Sequence, residues 1–206
     1  MTNALLAQLA LALRTTSWTE IFAVVLALAY VVLAIRQSIA CWVAAFVSSC
    51  LYVWIFFTAR LYMDSALNVF YAVMAVYGFW QWHRVDRDGA HHVRRWSLAH
   101  NALAAVGILA LSTVNWYFLS RYTPAAFPFI DSMVSWGAVF ATFLVARKVY
   151  ENWHWWLIID AASACLYFAK GLYLTVLLFA LYLALIVIGM REWRRSLPPL
   201  APAHGA

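Results

Sequence analysis

The chain has 206 residues, of which 67% are hydrophobic, 17% aromatic and 11% charged, and its formal net charge is +6. So apolar a composition excludes an ordinary soluble domain and makes lipid the solvent for most of the surface. The positive balance does not indicate nucleic acid, because the basic residues lie between and after the apolar runs and not along one surface.

In chain order, residues 1–17 are expected to be an extracytoplasmic N-terminal segment. Ala4 to Leu13 is apolar apart from Gln8, but no basic region precedes it and Arg14 follows it, so it does not read as a signal peptide. Apolar runs then mark seven spans, at about 19–35, 41–58, 62–82, 97–119, 130–146, 153–169 and 172–190. Each approaches the roughly 20 residues needed to cross a hydrocarbon core of about 30 Å. A closed barrel would alternate polar and apolar residues at every second position, so the spans are helices. His83 to Arg95 is the longest polar stretch and reads as a solvated connector. His91 and His92 beside Asp86 and Asp88 match no zinc spacing and no Cys is near, so no metal is expected. Residues 196–206, with Pro198, Pro199 and Pro202, read as a disordered cytoplasmic tail. Cys41, Cys50 and Cys165 lie inside apolar runs and behave as small hydrophobes.

The segment Glu20 to Trp82 recurs 111 residues later, aligning without a gap on Asp131 to Trp193. Identical positions include Arg36/Arg147, Trp42/Trp153, Tyr71/Tyr182, Gly78/Gly189 and Trp82/Trp193. Three spans fall in each repeat (19–82 and 130–193) and a linker span, 97–119, lies between, which returns the second repeat to the side where the first began. The expected architecture of residues 18–195 is therefore an all-α polytopic membrane domain of seven helices in 3+1+3 parallel repeats. Arg14, Arg60, Arg121 and Lys170 fall on one side and the other ten basic residues on the opposite side. The positive-inside rule then places the N-terminus outside and the C-terminus in the cytoplasm. Trp18, Trp80, Trp82, Trp96 and Trp193 stand near span ends, as interfacial anchors do.

Polar groups inside lipid are costly, and those that occur there face a bundle interior or a water-filled path. Asp160 is the sharpest case, seven residues into the sixth span and so about 10 Å below its start. Trp153, Trp156, Asp160 and Ser163 share one helical face, and indole faces attract cations. They suit a flat, positively charged heteroaromatic ligand, or else an interfacial Trp pair with an internally bonded acid. On the third span Asp64, Asn68 and Tyr71 share a face that continues to Gly78. Asn68 and Tyr71 could hold a polyhydroxylated or amide-bearing ligand, or join helices. Asp64 is explained as a first-turn acid, and Glu20 and Asp131 as helix-start residues. No nucleophile with a base, no phosphate loop and no carboxylate pair is visible, so no enzyme is expected.

These residues resemble the PnuC vitamin transporters. The resemblance rests on Phe127 to Asp131, Arg147 to Trp153 with Trp156, and Lys170 to Tyr173 through Gly189 and Trp193. In the first half it rests on Arg60 to Tyr62, Asn68 to Tyr71 and Tyr77 to Trp82, so that it covers about residues 18–195. It implies a seven-helix fold related to the sugar-transporting SWEET proteins, and import of nicotinamide riboside across the bacterial inner membrane by facilitated diffusion. The family's WxxW motif maps onto Trp153 and Trp156, and its NxxY motif onto Asn68 and Tyr71. Trp153 and Trp156 would contact the pyridinium ring, Asn68 and Tyr71 the ribose or carboxamide, and Asp160 would offset the ligand charge. Related members are linked to thiamin, another cationic vitamin, so the substrate stays open. No cofactor is implied, and intracellular phosphorylation would trap the product. The partners expected are the vitamin and the bilayer, with homo-oligomers possible. A rival class is a non-transporting receptor or accessory membrane subunit.

Overall fold

The structure is a computed structural model that describes residues 17–60, 62–87, 93–122, 127–169, 171 and 173–198. Lys170, His91, His92 and Asp88, the segment before residue 17 and most of the tail lie outside the described residues. Seven helices are present: α1 (Trp18–Ile35), α2 (Ala40–Thr58), α3 (Tyr62–Arg87), α4 (Leu98–Tyr122), α5 (Pro128–Ala146), α6 (Asn152–Ala169) and α7 (Tyr173–Arg195).

Local chemistry explains the boundaries. Ser17 caps α1 by accepting the Glu20 amide at 3.2 Å, and Pro128 opens α5 where its missing N–H is not needed. At the other end of these two helices the chain turns in the same way. Gln37 N–H donates to the Ala34 carbonyl and Ser38 N–H to Leu33, while Lys148 N–H donates to Val145 and Val149 N–H to Leu144. Gln37 (φ 55°) and Lys148 (φ 51°) occupy the left-handed position of this Schellman arrangement. Arg60 and Gly171, also 111 residues apart, take φ of 61° and 73° after α2 and α6.

Five helices, α1, α2, α4, α5 and most of α7, are long and apolar enough to cross a membrane. The two that are not, α3 and α6, carry Asp64, Asn68 and Tyr71, and Asn152, His154 and Asp160. The five candidate binding residues thus lie on the two helices that are not among the five apolar candidates. Neighbour contacts close a ring in the order α1, α2, α3, α5, α6, α7 and back to α1, and α4 stands outside against α5. In that ring each helix lies opposite the helix 111 residues away: α1 opposite α5, α2 opposite α6, and α3 opposite α7.

Two expectations change. The stretch from His83 to Arg95 is not simply a solvated loop. α3 continues to Arg87, and Val93, fully buried, begins a strap in which Arg94 N–H donates to Lys148 and the Arg94 carbonyl accepts from Tyr150. The extra turn of α3 carries Arg84 and Arg87, whose cations suit a helix C-terminus. Trp18 and Trp80 are exposed as interfacial anchors would be, but Trp82 and Trp193 are fully buried. The Trp82 indole N–H donates to the Val145 carbonyl at 3.2 Å, and that of Trp193 to Ala34 at 2.9 Å. These bonds are the same bond exchanged between the halves. They add a second donor to carbonyls that already accept the Lys148 and Gln37 backbone N–H groups at the ends of α5 and α1.

Candidate functional site

The ring encloses a cavity of about 410 Å³, bordered by all six of its helices. All five residues singled out from the sequence, Asn68, Tyr71, Trp153, Trp156 and Asp160, line it. Ser163 is buried but does not border the cavity, and Asp64 is exposed outside it.

One end of the cavity is closed by aromatic packing. Trp42 meets Trp82 edge-on, with centroids 5.5 Å apart and planes at 90°, and Trp153 meets Trp193 at 5.5 Å and 87°. A further contact of 6.2 Å between Trp82 and Trp193 joins the two pairs. The shared glycines make this possible. A Cβ on Gly78 would fall under 3.0 Å from the Trp42 ring, and one on Gly189 equally close to Trp153. Trp153 is consequently only 4% exposed and borders the cavity as part of its closed end. Trp156, one turn further along α6, is half-buried and is the indole with more free surface. The expected pair is therefore unequal: one ring is fixed by packing and the other is available.

The polar lining is sparse. Asp160 is 6% exposed and, among the described residues, has neither a hydrogen bond nor an ion pair. No Lys, Arg or His lines the cavity among the described residues, and Asp160 is its one acid. Asn68 donates its side-chain amide to the Asp64 carbonyl at 2.9 Å, which leaves the amide oxygen for a ligand donor. Tyr30, Tyr52, Tyr71 and Tyr182 also border the cavity. At the closed end, Asn152 gives its amide to the Val149 carbonyl at 2.6 Å while its oxygen stays unpaired, as do the indole nitrogens of Trp42 and Trp153. Such a surface provides aromatic faces, one negative charge and several hydroxyls. It provides nothing to pair a phosphate.

The sequence reading missed much of this lining: it named Tyr71 and Trp153 as candidates but not their repeat mates Tyr182 and Trp42. Tyr182 and Trp42 border the cavity as their mates Tyr71 and Trp153 do, and Ala45, Ser49 and Phe179 stand where Trp156, Asp160 and Asn68 have their counterparts. The signal was present. Moving each of the five candidate residues by 111 positions lands on a cavity-lining residue every time. Tyr30, Tyr52 and Asn152 have no such marker, because their mates Ala141, Ser163 and Cys41 do not line the cavity.

Known proteins agree with this architecture. A riboflavin/roseoflavin transporter, RibM, of Streptomyces davaonensis is 28% identical over 85% of this chain and 84% of its own length. The nicotinamide riboside transporter PnuC of Escherichia coli is 26% identical over 87% of this chain and 86% of its own. A crystal structure of the vitamin B3 transporter PnuC shares the fold, with a TM-score of 0.70 over 92% of this chain and 86% of that chain at 18% identity. These are transporters and not enzymes. The family model described as the nicotinamide mononucleotide transporter matches residues 17–195, so this chain, as its motifs indicate, belongs to that family of membrane transporters.

Proposed function

We propose that the protein imports nicotinamide riboside through the central cavity. The observation that carries this reading is the unpaired Asp160 carboxylate on the same wall as Trp156, with no cation of the protein beside it. A flat pyridinium over an indole, next to a carboxylate, supplies the missing charge and gains cation–π attraction. The hydroxyls of Tyr30, Tyr52, Tyr71 and Tyr182 and the free oxygen of Asn68 suit a ribose and a carboxamide. Thiamin shares the cationic ring but offers fewer hydroxyls. Riboflavin, named for one relative, is uncharged in its ring and would leave Asp160 without a counter-charge. A phosphorylated substrate would bring negative charge against Asp160 with no basic residue to receive it.

On this reading residues 18–195 form the transporter, the halves 19–82 and 130–193 are parallel repeats, and 97–119 is the linker. The repeats rock around the cavity to expose it to each side in turn. The N-terminus lies outside and the C-terminus in the cytoplasm of a bacterial inner membrane, with the ten-residue basic side inward. Phosphorylation in the cytoplasm makes a substrate that the cavity rejects, which keeps uptake inward.

The test is uptake of labelled nicotinamide riboside, thiamin, riboflavin and nicotinamide mononucleotide into proteoliposomes that contain this protein alone. Saturable entry of nicotinamide riboside, with no entry of the mononucleotide, is expected. Entry of none of the four above empty vesicles would reject the stand-alone transporter in favour of a receptor or accessory subunit. Preference for riboflavin would reject the cationic substrate.

A further inference from the structure

The closed end of the cavity divides along the boundary between the two halves. In the first half, Trp42 of α2 stands edge-on to Trp82 of α3 and directly over Gly78. In the second, Trp153 of α6 stands edge-on to Trp193 of α7 and directly over Gly189. The glycine lets ring and helix pack without a gap, so each tryptophan pair is fixed to its own half. Between the halves the packing is thinner: α3 meets α5, and α7 meets α1, less extensively than neighbours within a half meet one another. At the closed end the boundary is crossed by the Trp82–Trp193 ring contact at 6.2 Å and by the Lys148 ammonium, 4.8 Å from the centre of the Trp82 ring. The indole bonds of Trp82 to Val145 and of Trp193 to Ala34 cross it as well, and beyond them the Gln37 amide donates to the Ser196 hydroxyl at 2.8 Å.

The crossing indole bonds are readily given up. The Val145 and Ala34 carbonyls also accept the backbone N–H groups of Lys148 and Gln37, so they keep a donor when the indoles withdraw, and the freed indole N–H groups meet water. A hydrogen bond exchanged for one to water changes the free energy little, whereas a buried polar group without a partner is costly. The closed end holds groups of the second kind: the Asn152 oxygen and the indole nitrogens of Trp42 and Trp153 are buried without a partner among the described residues. Parting the halves admits water to them. The closed arrangement is therefore held by reversible contacts and opposed by unpaired ones.

Resting on the reading in which the two halves rock around the cavity, we propose that the seam between Trp82 and Trp193 is the gate through which the cavity opens to the cytoplasm. Each half carries its own tryptophan pair as one leaf, and the two exchanged indole bonds are the latch. Trp82 and Trp193 do not line the cavity, so they are positioning residues that govern passage and not recognition. The latch needs no coupling ion. It sets how fast the halves part and leaves the final distribution of substrate unchanged, as facilitated diffusion requires.

The experiment locks the seam. In the full chain carrying Cys50→Ser and Cys165→Ser, the substitutions Gln37→Cys and Ser196→Cys put one thiol on each half where the two side chains meet, outside the cavity lining, while Cys41 stays buried. The purified protein is bridged with a short bis-methanethiosulfonate reagent. Equilibrium binding of labelled nicotinamide riboside is measured in detergent and uptake after reconstitution, each before and after dithiothreitol. Bridging should lower uptake more than about tenfold, reversibly, with binding affinity kept within about twofold. Glu192→Cys with Arg195→Cys, bridged by the same reagent within the end of α7, should transport at its reduced rate. Added to the cross-seam pair, Trp193→Phe keeps a ring but removes the N–H, and should slow bridging by about threefold because the closed state is less populated. An unchanged bridging rate would overturn the latch. Undiminished uptake by the protein bridged across the halves would overturn the gate and leave the carrier intact, and so would loss of binding together with uptake, which would put the seam in the binding site. Absence of uptake from the wild type would overturn the carrier reading and the gate with it.

Discussion

At the scale of single residues, Trp153 and Trp156 look alike in sequence and differ in the folded chain. Trp153 is held over Gly189 and edge-on to Trp193, whereas Trp156 is half-buried on the cavity wall. A desolvated cation–π contact is worth about 2 kcal/mol, or roughly 30-fold in affinity. Trp156→Ala should therefore weaken nicotinamide riboside binding by about that factor with little change in melting temperature, as titration calorimetry and thermal melts would record. Trp153→Ala should lower the melting temperature as well, since it opens a cavity in the packed closure, at about 3–5 kcal/mol. Of the five candidate residues, Asp160, Asn68 and the Trp pair were legible because they are conspicuous in lipid, and Tyr71 because it lies one turn from Asn68 on the same face. Tyr30 and Tyr52 were not, because tyrosine is ordinary in so aromatic a chain and spacing alone does not say which helix stands across from which.

At the scale of elements, the helices were legible and their ends less so. Hydrophobic length located every helix, but α3 and α7 run on to Arg87 and Arg195, whose cations suit a helix C-terminus. The strap at Val93 to Trp96 was invisible, since its order comes from pairing with the α5–α6 turn, a contact 55 residues away in the case of the Trp96 amide and Glu151. The shared glycines stood out in the sequence only as identical repeat positions, and the structure gives their reason: α3 and α7 approach the rings of Trp42 and Trp153 directly. Gly189→Ala should force Trp153 or α7 to shift and cost about 1–3 kcal/mol by overpacking. A lowered melting temperature of the purified protein, with helical circular dichroism retained, is the expected reading; an unchanged melting temperature would show that the ring moves freely.

At the scale of the whole molecule, the 111-residue recurrence carries into geometry with a consistency that no single motif supplies. The reciprocal bonds of Trp82 and Trp193, the paired turns at Gln37 and Lys148, and the contacts of α3 with α5 and α7 with α1 all obey it. The cavity lies where the two halves meet, and its asymmetry arises from substitutions at matched positions, Trp156 against Ala45 and Asp160 against Ser49. A symmetric frame can swing open at either end, while an unequal lining can recognise an unequal molecule. The sequence carried the frame but not the ring order, because a repeat says which positions are equivalent and not that they stand across a shared space.

The central claim is that this space is the substrate site. Ala45 lies on the wall opposite Trp156, and Ala45→Trp would place a further indole inside the cavity while leaving the five proposed contact residues unsubstituted. Equilibrium binding of labelled nicotinamide riboside to the purified variant, with its melting temperature recorded beside it, is the direct measurement. Binding weakened more than about tenfold in a protein that still melts cooperatively is predicted. Wild-type affinity in that variant would contradict the account and move the site elsewhere.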